Sequence, residues 1–97
     1  MTDRQQERHA WLSGLADRYQ LDLTTETAAS TDAGFRRYFR IANRQNQTYI
    51  VMDAPTEHED VRPFIRVTHL FEQAGLTVPR IYEENPQQGF LLLTDLG

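Results

Sequence analysis

Ninety-seven residues suffice for one domain with one modest core, because a chain this size buries only about two-thirds of its unfolded surface. Fourteen acidic residues against ten arginines leave a net charge of −4, the wrong sign for a general binder of nucleic acid or anionic lipid. The chain has no lysine, and it has no cysteine, which excludes disulfides, thiolate metal sites and cysteine nucleophiles.

The chain opens on an amphipathic helix. Thr2 and Gln5 have the spacing of a capping box, and Trp11, Leu12, Leu15, Ala16 and Tyr19 recur on one helical stripe that should end near Gln20. Asp3, Arg4, Glu7, Arg8, Asp17 and Arg18 interrupt this segment, so it is no secretory signal. No later run is long enough to span a bilayer, and the cytoplasm is the expected location.

Thr24 to Ser30 is rich in small and β-branched residues, and Thr31-Asp32-Ala33-Gly34 is a turn signal. Phe35 to Ala42 reads as a strand with Phe35, Arg37, Phe39 and Ile41 on one face and Arg36, Tyr38 and Arg40 on the other. A polar turn, Asn43 to Asn46, leads to a third strand, Thr48 to Met52, closed by Pro55. Three strands with short turns predict an antiparallel meander.

A second helix is predicted after Asp60 as N-cap, with Pro63 in the first turn, where its missing N–H costs nothing. Val61, Phe64, Ile65, Thr68 and Phe71 form its expected buried stripe, flanked by Val67 and Leu70, and Gly75 is the C-terminal cap. Two short strands follow, Arg80 to Glu83 and Phe90 to Leu93, joined by the turn Asn85 to Gly89. The second is wholly apolar and needs cover on both faces, so a chain stopping at Gly97 is expected to be one part of a larger protein.

Helix, three strands, helix, two strands is the order of the small lobe of protein-kinase-like folds. Four segments come in the matching order and spacing: Ala33 to Arg40, Val51 to Pro55, Ala74 to Pro79 and Gly89 to Gly97. Over Ala29 to Gly97 the chain resembles the aminoglycoside-phosphotransferase family, and within it the bacterial anomeric sugar kinases that act on N-acetylmuramate and N-acetylglucosamine in cell-wall recycling. The resemblance implies an α+β fold: a protein-kinase-like N-terminal lobe with a five-stranded antiparallel sheet, a crossing helix and an extra N-terminal helix. Residues 1–22 would be that extra helix, and residues 23–97 the lobe, ending at the hinge.

The same resemblance implies ATP as phosphoryl donor and a small sugar as acceptor. The catalytic base and the magnesium ligands would belong to an absent C-terminal lobe, so no catalytic residue falls in this chain and the fragment alone would be inactive. Thr94, Asp95 and Leu96 occupy the hinge positions, where adenine would meet the Thr94 carbonyl and the Leu96 N–H. The plainer reading is a core strand running into a loop. Thr31 and Gly34 would face the phosphates, although one glycine is far from a glycine-rich loop, and an ordinary hairpin turn accounts for them as well.

One departure is conspicuous. Kinase-like lobes carry a third-strand cation, oriented by a helix glutamate, against the α- and β-phosphates. Here the cation slot falls on Met52 and the glutamate slot near Pro63. Arg36 or Arg37, beside the turn, is expected to do part of the missing cation's work, since a guanidinium fork suits phosphate oxygens; solvated charges on a sheet face are the alternative.

Other conspicuous residues have plain readings. His9, His58 and His69 are too scattered for a metal site, Trp11 belongs to the core, and Glu57, Glu59 and Asp60 suit the positive end of the second helix. Asp53 reads as a strand-end residue. The competing function is a non-enzymatic interaction module. A kinase lobe should leave an apolar underside open near Tyr49 to Met52 and Leu91 to Leu93, through which the fragment could self-associate, whereas a finished module should not. An RNA-binding sheet, suggested by the aromatic and arginine residues of Phe35 to Arg40, conflicts with the acidic charge.

Overall fold

The computed structural model describes residues 3–31 and 35–97. Helix α1 (Asp3–Tyr19) is followed by strands β1 (Leu21–Thr31), β2 (Arg37–Asn43) and β3 (Thr48–Asp53), helix α2 (Arg62–Gln73), and strands β4 (Ile81–Asn85) and β5 (Phe90–Thr94). The strands form one sheet in the order β1-β2-β3-β5-β4, every neighbouring pair antiparallel. This is the α+β lobe implied by the resemblance.

Strand alternation sends side chains to two faces, and a helix covers each. Leu12 of α1 packs with Leu21, Ile41, Val51 and Leu92, and Trp11, Leu15, Tyr19, Phe39 and Tyr49 border them. On the other face Met52, Ala54, Leu91 and Leu93 pack with Val61 and Ile65, alongside Tyr38, Ile50 and Phe64. The two faces of β2 are thus divided as the alternation predicts. Phe90 stacks on Trp11, with ring centroids 5.5 Å apart.

The junctions follow local chemistry. Gln20 turns from α1 into β1 in a single residue at φ 57°. The break in the β1–β2 ladder between Asp22 and Thr27 is bridged by Thr25, whose hydroxyl donates to the Asp22 carbonyl and accepts from the Ala42 N–H. In the β2–β3 turn the Asn43 carboxamide oxygen accepts from the N–H groups of Gln45 and Gln47. Past the end of α2, Leu76 N–H donates to the Phe71 carbonyl and Gly75 N–H to that of Glu72, with Gly75 at φ 83°. This is the left-handed closure that glycine permits at lowest cost.

Several expectations need correction. The helix boundary falls at Val61, which has no side-chain cap and helical dihedrals; the Asp60 carboxylate one residue earlier accepts from Arg62 N–H at 3.0 Å, the contact a capping side chain makes two residues on. Only Val61, Ile65 and Thr68 of the expected α2 stripe are buried, while Phe71 is 46% exposed and Leu70 62%. A 12-residue helix crossing a sheet touches it along one narrow line, so its far end stands off. The apolar underside expected at Tyr49–Met52 and Leu91–Leu93 is covered over most of its area, with Val51, Met52, Leu91 and Leu92 buried because β5 lies inside the sheet between β3 and β4 and both faces have helices; it stays open beside α2, where Ile50 and Leu93 face a groove. The exposed large apolar residues are Val67, Leu70, Phe71 and Leu76 on α2 and its exit, Phe35 before β2 and Leu96 after β5. The Thr2 cap lies outside the described residues, and β1 starts early enough that a boundary after residue 22 falls within it. No described helix is long and apolar enough to cross a membrane.

Candidate functional site

Beside α2 the sheet leaves a groove of about 810 Å³. Its floor is Tyr38, Arg40, Ile50 and Leu93, one wall is α2 from Pro63 to Phe71, and Thr94 to Gly97 close one end. Its size and mixed lining are those of a small-molecule site.

The register orders the groove lengthwise. Arg40 pairs across to Ile50 and that to Leu93, next to Thr94; Arg37 pairs to Asp53 and that to Phe90. Arg36 therefore lies toward the end remote from Thr94–Leu96, about 13 Å along the strand from Arg40 at about 3.3 Å per residue. Met52 pairs with Tyr38, midway between the two arginines on the same face. It is fully buried with Ala54, Val61, Ile65 and Leu91 and lies beneath the groove rather than in its lining. A charged side chain would be stranded there, since Pro63 stands in the predicted glutamate slot.

Each arginine in the groove has a carboxylate. Arg36 Nε binds Glu59, and its guanidinium lies 5.1 Å from the Phe64 ring centroid. Arg40 grips Asp95 through Nε at 2.6 Å and Nη2 at 3.2 Å; Thr48 Oγ1 donates to the same carboxylate at 2.8 Å and Gly97 N–H at 2.9 Å. The segment after β5 is thereby pinned to the sheet. Of the predicted site residues, Arg36, Thr94, Asp95 and Leu96 meet at this groove. Arg37 is exposed and on the opposite, α1-facing alternation of β2, Thr31 pairs its backbone with Arg37 at the end of β1, and Gly34 lies outside the described residues. Phe39, the aromatic an RNA-binding sheet would need, lies under the Arg8 guanidinium at 3.8 Å.

A second polar cluster escaped sequence reasoning. Asp53 is buried at the end of β3, where Arg4 Nη2 meets Oδ1 at 2.5 Å and Arg8 Nη1 meets Oδ2 at 2.6 Å. Arg8 Nε also reaches Glu26 at 3.1 Å, and Arg4 Nη1 donates to the Gln88 carbonyl at 2.6 Å. Arg4 and Arg8 share Asp53, with Glu26 and the more distant Glu7 at the margins, and the cluster bolts α1, β1 and β3 together beside the β4–β5 turn. The available signal was Arg4 and Arg8 one helical turn apart, matched by an acid closing an apolar strand.

A family model described as a phosphotransferase enzyme family matches residues 25–97. This chain belongs to that family. Two relatives, each named N-acetylmuramate/N-acetylglucosamine kinase, share its sequence closely. That of Pseudomonas aeruginosa is 52% identical over 69 residues, covering 71% of this chain and 20% of the relative. That of Pseudomonas putida is 48% identical over 71 residues, covering 73% and 21%. A third of the same name, from Neisseria meningitidis serogroup B, is 35% identical over 94 residues, covering 97% of this chain and 27% of its own. The phosphotransferase lobe thus spans about a fifth to a quarter of the relatives it matches. No solved structure matches it.

The electrostatics of the lobe make its acid response calculable in sign. Arg40, aided by Gly97 N–H and Thr48, holds the Asp95 carboxyl well below the usual carboxylate range despite its burial. The Tyr19 hydroxyl, 2.5 Å away, and Arg18 hold Glu83 down in the same way. A carboxyl that is more acidic folded than unfolded stabilises fully above its unfolded pKa, about 4, and loses that contribution as pH falls toward the folded value. The thermal midpoint should therefore drop between about pH 4 and pH 2, and the Asp95→Asn variant should show a shallower drop over that range.

Proposed function

We propose that this chain is the nucleotide-covering lobe of an ATP-dependent kinase that transfers a phosphoryl group to the hydroxyl of an amino sugar. The observation that carries this reading is the groove, with an arginine at the end away from Thr94–Leu96 and a pinned backbone segment at the other. Such a site suits an elongated ligand with a flat polar base and an anionic tail: the base on the Thr94 carbonyl and Leu96 N–H, the phosphates toward Arg36. The relatives' printed names supply the acceptor class, N-acetylmuramate and N-acetylglucosamine. ATP as donor places the reaction in the cytoplasm.

Magnesium does not fit this lobe by itself. Asp95 at the groove and Glu59 against Arg36 are each tied to an arginine, and no group of three metal-capable side chains occurs among the described residues. The metal ligands and the catalytic base are assigned to a second lobe, and this lobe alone should transfer no phosphate. The test compares the 97-residue chain with the full-length protein, each given ATP, magnesium and either sugar. The expected result is sugar phosphate formed by the full-length protein only. No product from the full-length protein with either sugar would refute the assigned reaction.

An interaction module has one observation in its favour, the burial of the β5 apolar residues inside this chain. The groove beside α2 answers it, because Ile50 and Leu93 of the sheet face an open ligand-sized space there.

A further inference from the structure

We propose that Arg36 and Glu59 form a relocated cation–carboxylate pair, in which Arg36 meets the nucleotide phosphates and Glu59 is the residue that positions it. This rests on the nucleotide-lobe reading above and adds to it a specific pair that stands in for Met52 and Pro63.

The positions where a third-strand cation and its helix glutamate would stand hold a buried methionine and a proline, so that pair cannot form. The groove still needs a positive charge against a polyphosphate. Arg36 lines the groove two residues before Tyr38, the β2 residue that pairs across to Met52. It shares that face by alternation, which puts its charge on the neighbouring strand beside the vacated slot.

Glu59 sits in the segment leading into α2, so its contact with Arg36 ties the sheet to the helix, as the absent pair would have done. The contact uses Nε only, and a guanidinium carries four further N–H donors in its planar fork. Phe64 lies against the guanidinium face and restricts its rotation. Burial works against the Arg36 charge, and Glu59 together with Tyr38 more than offsets it. A carboxylate that holds one edge while an aromatic ring holds one face leaves the remaining edge for phosphate oxygens. Both members of the pair are about a quarter to a third exposed, so substitution leaves the core intact.

The experiment is an equilibrium titration of the full-length protein with adenosine and with adenylyl imidodiphosphate, using wild type, Arg36→Met, Glu59→Gln and Glu59→Asp. Adenosine affinity should be the same in all four. The preference for the phosphate-bearing analogue should fall about tenfold or more in Arg36→Met, the scale of a hydrogen bond to a charged group. It should fall by about threefold to tenfold in Glu59→Gln and return in Glu59→Asp. An unchanged preference in Arg36→Met or in Glu59→Gln overturns the pair while the nucleotide-lobe reading stands. A tighter analogue in Glu59→Gln would make Glu59 a competitor for Arg36 and overturns it equally. Wild type that binds neither ligand overturns both readings.

Discussion

Replacing Asp53 by alanine should lower the unfolding free energy by about 3–5 kcal/mol, the cost of removing one partner from a buried ion pair. The carboxylate is 3% exposed and is shared by two guanidinium groups, Arg8 at 6% and Arg4 at 23% exposure. Without it Arg8 keeps only Glu26 as a carboxylate partner, and Arg4 keeps the Gln88 carbonyl and a distant Glu7. Water cannot readily replace the lost acceptor, because Phe39 and Phe90 cover the arginine faces at 3.8 and 4.3 Å. Against a total stability of about 5–15 kcal/mol for a small domain, the loss is large enough to leave much of the population unfolded.

Urea unfolding gives the measurement. The midpoint should fall sharply with an unchanged m-value, which would locate the effect in the folded state. Asp53→Asn keeps two acceptor lone pairs and should lose less. A loss below about 1 kcal/mol for the alanine variant, the scale of an exposed ion pair, would show that the cluster is screened by solvent and that α1 is held by its apolar face alone.

Gly89→Ala should be comparably damaging for a different reason. Gly89 has φ 81°, a conformation that costs an L-residue about 1–2 kcal/mol. Its missing side chain leaves room for the Ala54 carbonyl, whose oxygen would lie 1.9 Å from an added Cβ. The clashing atom is backbone, so no rotamer change relieves the overlap. The β3 and β5 ends must separate, which breaks the 2.8 Å hydrogen bond from Ala54 N–H to the Gly89 carbonyl and disturbs the neighbouring Arg4–Gln88 contact.

The combined cost should reach about 3–5 kcal/mol, the upper range for a single substitution. Gly75 supplies the control. Its φ of 83° is nearly the same, but no atom lies within 4 Å of the added Cβ, so Gly75→Ala should cost only the conformational term, about 1–2 kcal/mol. Equal losses at the two positions would mean that the Ala54 contact is not what restricts residue 89. Thermal and urea midpoints of the two variants, measured together, decide the matter.

Much of this architecture was legible in the residues. The 3.6-residue stripe of Trp11, Leu12, Leu15 and Tyr19 and the alternation of Phe39 and Ile41 against Tyr38 and Arg40 each report which side chains share a face. Those faces became the two cores. Gly75 marked the end of α2 because left-handed closure favours glycine, and four short segments in register were enough to place the chain in its family.

What only the tertiary structure decided is which charge meets which. Asp53 lies 45 residues from Arg8, Arg40 lies 55 from Asp95, and Arg36 lies 23 from Glu59. Periodicity describes one element at a time, whereas an ion pair forms where two elements cross, and the crossing is set by strand register and helix packing. For the same reason Glu59 read as an acid suiting a helix dipole and Gly89 as an ordinary turn residue. Their partners, Arg36 and the Ala54 carbonyl, come within reach only once the sheet is assembled.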